Sequence, residues 1–167
     1  MTRSWFQPAE GGCACGHVRY RVELPPMFVH CCHCRWCQRE TGSAFVLNAL
    51  IEADRVELIS GEVEVVHTPS ESGRGQKIHR CPSCKIALWS NYAGTGPSVL
   101  FLRVGTLDDP DRFPPDVQIF TGSKQPWFDL PPGAPVFEEF YRFRDQWPEE
   151  SIERYKAAQR RSDPTTR

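Results

Sequence analysis

Polar and apolar residues alternate with period two along residues 17–24. Val18, Tyr20, Val22 and Leu24 fall on one side, and His17, Arg19, Arg21 and Glu23 on the other. Successive side chains of an extended chain point to opposite faces, so the pattern predicts a half-buried strand, which Pro25-Pro26 ends. Further strands are predicted at residues 44–51, 56–59, 63–68, 77–80, 87–92, 99–104 and 117–120. The grounds are their β-branched and aromatic content and the short Gly, Pro and Asp breaks between them. Ser60-Gly61-Glu62 reads as a hairpin turn, residues 69–76 as an exposed loop, and residues 1–12 as a short leading segment ending in glycine. After Leu107 the texture changes to turn-rich crossings at Asp108-Asp109-Pro110-Asp111, Phe113-Pro114-Pro115 and Leu130-Pro131-Pro132-Gly133. From Pro148 a helix is predicted: proline suits the first turn, Glu149 and Glu150 favour its positive end and Arg160-Arg161 its negative end. That helix is only weakly amphipathic and reads as a docked tail or a partner contact. The expected architecture is mainly β, built from hairpins, with a short C-terminal helix.

The chain has 167 residues, enough for one domain, with 20 basic and 21 acidic side chains and a net charge of -1. No global field draws it to nucleic acid or to an anionic membrane, and any anion must be met by locally placed Arg or Lys. Met1-Thr2-Arg3-Ser4-Trp5-Phe6 lacks the apolar core of a secretion signal, and residues 44–51 are too short an apolar stretch to span a bilayer. The expected location is the cytoplasm, where thiols stay reduced.

Eight cysteines in such a compartment need a reason. Isolated core thiols would scatter with the hydrophobic pattern, whereas these cluster as Cys13-Ala14-Cys15, Cys31-Cys32-His33-Cys34-Arg35-Trp36-Cys37 and Cys81-Pro82-Ser83-Cys84. The clustering points to metal. Cys13 and Cys15 point the same way in extended chain, and Gly11-Gly12 and Gly16 permit the tight backbone such a chelate needs. The two residues between Cys81 and Cys84 form a turn that brings both sulfurs to one ion. Together these four match a closed tetrahedral zinc site. Cys32, Cys34 and Cys37 leave a set of three, the count of a zinc with one open position. Cys31 would point away from its neighbours. Two closed sites, with Cys31 or His33 joining the middle set, and a single zinc with spare thiols remain open on spacing alone.

The order Gly12-Cys13-x-Cys15-Gly16-x-Val18-x-Tyr20, then Cys32-His33-Cys34-x-x-Cys37-x-x-x-x-Gly42, then Cys81-x-x-Cys84, then Gly122-Ser123-Lys124-x-x-Trp127 resembles the glutathione-dependent formaldehyde-activating enzyme family. That family is also called the centromere protein V-like domain. The resemblance spans roughly residues 6–137. It implies an Mss4-like β-tent with two zinc ions per chain. Cys13, Cys15, Cys81 and Cys84 would hold the structural zinc, and Cys32, Cys34 and Cys37 the catalytic one. The expected domain covers residues 6–140; the chain beyond it lies outside the resemblance and is expected, from its composition, to form a helical tail over 141–167. The activity implied is that of a carbon–sulfur lyase, an S-(hydroxymethyl)glutathione synthase-like enzyme joining a thiol to an aldehyde. Lys85 stands where the family usually has glycine, which puts the geometry of that turn in question.

Three thiolates leave a zinc core with a net charge of about -1, a poorer activator of water than an imidazole site and better suited to another soft donor. A glutathione-like ligand carries two carboxylates. Arg35, Arg39 and Lys124 are the candidate cations for it, each more readily read as a solvated surface charge. His33 is a candidate proton shuttle, or simply a backbone-bonded histidine, and His79 a support for the closed site. Trp36 and Trp127 read as core or pocket wall, and His17, His30 and His67 carry no signal. The rival functions are a non-catalytic zinc module for protein interaction and, on the adjacency of Cys31-Cys32 to a CxxC, a thiol redox protein.

Overall fold

A computed structural model describes residues 6–162; residues 1–5 of the leading segment and 163–167 of the tail lie outside it. Among the described residues ten strands make two sheets: β1 (Ala9–Gly12), β2 (Arg19–Val22), β3 (Phe28–Cys32), β4 (Val46–Glu52), β5 (Val56–Ser60), β6 (Glu64–Thr68), β7 (Gln76–Arg80), β8 (Ala87–Tyr92), β9 (Val99–Arg103) and β10 (Val117–Ile119). β1, β2 and β5 form a three-stranded sheet, and the other seven lie in the order β10-β3-β4-β9-β8-β7-β6. All pairings are antiparallel except that of β10 with β3. Helix α1 (Arg35–Thr41) follows β3, and α2 (Phe143–Gln146) and α3 (Glu149–Ser162) close the described chain. The architecture is mainly β with a C-terminal helix, as expected.

The period-two pattern of β2 is realised: Val18, Tyr20 and Val22 are buried in one core while Arg19 and Arg21 pair outward with Glu10 and Asp108. Leu24 is a correction. The strand ends at Val22, and Leu24 is 37% exposed. The Ser60-Gly61-Glu62 turn is another, because β5 pairs with β2 and β6 with β7. The turn passes the chain from one sheet to the other and closes no hairpin.

The part of the seven-stranded sheet formed by β3 and β4 is buried on both faces. Val29, Ala49 and Ile51 point into the core shared with β2, whereas Phe28, Cys32, Val46 and Leu50 point into a second core with Trp147 and Ala158. A strand covered on both faces loses its alternation, and β3, Phe-Val-His-Cys-Cys, is buried along its whole length. The sequence reading missed it for that reason. It also missed α1, whose ends are nonetheless marked. The Cys34 sulfur accepts from the Cys37 N–H at 3.4 Å, and Gly42, with φ of 63°, donates to the Gln38 carbonyl.

α3 docks across the second core. Ser151 bonds the Met27 carbonyl at 2.7 Å, Ala158 is fully buried, and Arg154 grips Glu52 with two bonds of 2.8 and 2.7 Å. No helix among the described residues is long and apolar enough to cross a membrane.

Lys85 adopts the conformation a glycine would take, with φ of 63°, and its N–H closes the turn on the Cys81 carbonyl at 3.0 Å. The turn keeps its shape, at the cost of left-handed strain on a residue with a Cβ. Lys85→Gly is expected to stabilise the fold by about 1 kcal/mol. Relief of roughly 1–2 kcal/mol of strain is partly offset by unfolded-state entropy and by the exposed ion pair to Glu64. A thermal midpoint raised by a few degrees would record it, and Lys85→Ala, which keeps the strain and loses the pair, should show no gain.

Candidate functional site

Two groups of thiols gather among the described residues, each with its sulfurs within 4.8 Å of one another: Cys13, Cys15, Cys81 and Cys84, and Cys32, Cys34 and Cys37. The first joins the end of β1 to the β7–β8 turn. Cys13 is fixed by a 3.0 Å bond from its N–H to the Val18 carbonyl and accepts the Val18 N–H on its sulfur at 3.2 Å. Gly12 is required here, since a Cβ would lie 2.3 Å from the Val18 carbonyl oxygen. Sulfur separations are 3.5 Å for Cys13–Cys15 and 3.7 Å for Cys15–Cys81. Those are too long for a disulfide of about 2.05 Å. They match the edge of about 3.8 Å that four sulfurs at about 2.3 Å from one tetrahedral zinc would span. The Ile86 and Cys15 N–H groups hold the Cys84 thiol down to about 6, so part of this set favours the anion a metal needs.

The second group is carried by the end of β3 and the first turn of α1, and its three cysteines are 4–7% exposed. Hydrogen bonds from the Cys32 and Cys37 thiols bring Cys34 down to about 3. Cys32, as the proton-giving partner, is pushed well above its ordinary value. Three thiols that share protons in this way suit a soft cation. Cys31 faces the opposite side of β3, 3.4 Å from His33 Nε2, and belongs to neither group.

Cys32, Cys34 and Cys37 border a cavity of about 410 Å³. The even-numbered residues of β3 and β4, His30, Asn48 and Leu50, form its floor. Burial brings the His30 imidazole down to about 3. Trp147 Nε1 donates to the Tyr141 hydroxyl at 2.6 Å, and that hydroxyl shares a further hydrogen bond of 2.6 Å with His30 Nε2. Asn48 accepts from Arg103, whose other amino group bonds Ser90 at 2.8 Å. Arg103 is 6% exposed and has no ion pair among the described residues. The Cys37 thiol is lowered by its bond with Cys32 but raised more by its bond with Cys34 and by burial, so it stands at about 12, and the charge of Arg103 is only a minor pull downward.

The cations singled out from the sequence lie elsewhere. Arg35 and Arg39 line a separate open groove with Gln38, Phe45 and Trp127, and Lys124 is bonded to its own loop through the Phe128 carbonyl at 2.9 Å. Arg74, from the 69–76 loop, is the cation that reaches the cavity, and nothing in the composition of that loop signals it. Trp36 lines the cavity, whereas Trp127 is 71% exposed. His33 is fully buried, with Nε2 2.8 Å from Gln118 Oε1, and His79 bonds Asn91 at 3.0 Å and stacks on Trp89. The Gly122-Ser123-Lys124 segment braces the thiol loop. Ser123 Oγ donates to the His33 carbonyl at 3.1 Å, and Gln38 bonds both that carbonyl and Ser123's at 2.7 and 2.9 Å. Arg80, beside Cys81, pairs with Glu40 on α1, which ties the two thiol groups together.

Residues 8–123 match the profile of a family described as glutathione-dependent formaldehyde-activating enzyme. A protein of Halomonas elongata, provisionally named as such an enzyme, is 28% identical over 127 residues, covering 72% of this chain and 80% of its own. A Rhodobacter sphaeroides protein of known crystal structure aligns with 77% of this chain and 98% of its own, at 17% identity and a TM-score of 0.47.

Proposed function

The chain belongs to the glutathione-dependent formaldehyde-activating enzyme family, and we propose on that footing that it is a zinc-dependent carbon–sulfur lyase or thiol–aldehyde adduct enzyme. Its substrate is glutathione or a related small thiol. The observation that carries this reading is the cavity that opens onto Cys32, Cys34 and Cys37 and not onto the four-thiol group. A module that only binds a protein partner has no use for a chamber at its metal.

In this reading Cys13, Cys15, Cys81 and Cys84 hold a structural zinc and Cys32, Cys34 and Cys37 a catalytic one. The catalytic zinc would supply a Lewis-acidic position suited to a sulfur donor. The chain does the rest. Aromatic and aliphatic side chains line much of the chamber, and a charge interaction beside them is stronger than in bulk water. The Arg103 guanidinium behind Asn48 offsets the negative charge of the thiolates. In the forward direction the substrate's sulfur forms a bond to the aldehyde carbon, the carbonyl π-bond breaks, and the thiol proton ends on the new hydroxyl. The reverse expels the thiol. Residues 6–140 form the zinc-binding domain and 141–167 a tail, whose described part carries α2 and α3. We place the protein in the cytoplasm, because its eight cysteines need reducing surroundings.

Two measurements test this. Elemental analysis of the purified protein should find close to two zinc ions per chain, falling to one under mild chelation with circular dichroism unchanged. A single zinc that resists chelation would sink the two-site reading. In cobalt-loaded protein, added thiol should strengthen the sulfur-to-metal charge-transfer absorption, while its S-methylated analogue should not. A spectrum unmoved by a broad thiol titration would favour the non-catalytic module.

A further inference from the structure

The cavity does not look built for a tripeptide. Phe101, Phe120, Phe140, Phe143, Trp147 and Tyr155 all present themselves to it. Of these, Phe140, Phe143, Trp147 and Tyr155 come from chain beyond the family match at residues 8–123. They form a self-supporting aromatic wall: Phe143 meets Trp147 edge-on at 5.3 Å and Tyr155 at 5.5 Å, and Trp147 meets Tyr155 at 5.7 Å. The docking of α3 through Ser151 and Arg154 holds that wall in place. Phe120 adds a second sign. Its backbone sits in the left-handed region, with φ of 56°, which a bulky residue adopts only at a cost that function tends to repay.

Charge points the same way. The formally charged acid and base side chains along the cavity, Arg74 and Glu71, have opposite signs. Glutathione has two carboxylates and an ammonium group, so at least one carboxylate would lie against this lining without a cation to meet it, which is costly wherever aromatic walls replace water. A flat apolar body, in contrast, finds rings on several sides.

We propose that the substrate of this site, taken as a thiol–aldehyde adduct site, carries an aromatic or similarly bulky apolar group on its thiol or its aldehyde, and that the C-terminal tail is the element that selects it. The ring lies among Phe140, Phe143 and Tyr155, and the reactive sulfur or carbonyl end faces Cys32, Cys34 and Cys37.

Calorimetric titration of the metal-loaded protein tests this with defined probes. Benzyl mercaptan places the ring on the thiol, benzaldehyde places it on the carbonyl, and glutathione and 2-mercaptoethanol lack it. At least one ring-bearing probe should bind tenfold or more tightly than glutathione, and which one does so assigns the ring to thiol or aldehyde. Phe143→Ala and the half-exposed Phe140→Ala should each weaken that probe by about 3- to 10-fold and leave 2-mercaptoethanol unchanged. Glutathione binding as tightly as either ring-bearing probe, or both variants binding them like the parent, would overturn the proposal and leave the thiol–adduct reading standing. Benzyl methyl sulfide separates the two ideas. If it binds as well as benzyl mercaptan, the aromatic cavity holds and the thiol reading fails. If no probe binds, both fail.

Discussion

Cys81→Ser is expected to abolish soluble, folded protein. Cys81 is fully buried in the core beneath β2, and its sulfur lies 3.7 Å from that of Cys15, across 66 positions of sequence. If the four thiols hold zinc, that ion contributes on the order of 10 kcal/mol to folding. The net stability of a domain is itself only about 5–15 kcal/mol, so losing a ligand removes a share that the rest of the fold cannot replace. Cys31→Ser is the matched control. Cys31 is just as buried, at 2% exposure, but belongs to neither thiol group, so it should cost about 1–2 kcal/mol and leave the metal content intact. Soluble yield, circular dichroism and zinc content of the two variants decide the matter. Equal folding of both would show that the four-thiol group is no staple.

Cys34→Ser should do the opposite, keeping the fold and losing the chemistry. The Cys34 sulfur caps α1, and serine is among the best residues at that position, so the helix keeps its start. What disappears is one of three sulfurs at the cavity. Zinc content should fall from two ions to one. Formation or breakdown of a thiol–aldehyde adduct should drop by at least about 100-fold, beyond the range typical of residues that merely orient a ligand. A variant that kept both ions and its turnover would show that the reaction does not run at these thiols.

Much of this was written locally and could be read. The alternation of β2, the composition of the edge strands and the cysteine spacings each depend on a few neighbouring residues. All eight predicted strands recur within about two residues at either end. β3 was hidden because both of its faces are covered: His30 and Cys32 turn to the cavity, Val29 to the opposite core, and no period survives. α1 was hidden because its cap is a cysteine already counted as a candidate ligand. The sheet exchange between β5 and β6 depends on which partner each finds, β2 or β7, and a turn of Ser-Gly-Glu is silent on that. The separate placements of Arg35, Arg39 and Arg74 follow from which side of α1 or of the 69–76 loop faces the chamber. That is decided by long-range packing and has no local signature.

The spacing of the two thiol groups along the chain also bears on the order of events as the protein is made. Cys32, Cys34 and Cys37 lie within a single short stretch, whereas Cys15 and Cys81 are 66 positions apart. Closing the longer loop costs about 2 kcal/mol more in chain entropy, and it cannot begin until the β7–β8 turn has left the ribosome. If each group takes a metal ion, the nascent chain would meet its first at the three-thiol group and its second only after half of its length has been synthesised. On the proposed two-ion reading, chains made when metal is scarce would carry an ion at the three-thiol group and lack the one joining β1 to the β7–β8 turn, and such chains should be cleaved by protease faster than fully loaded protein.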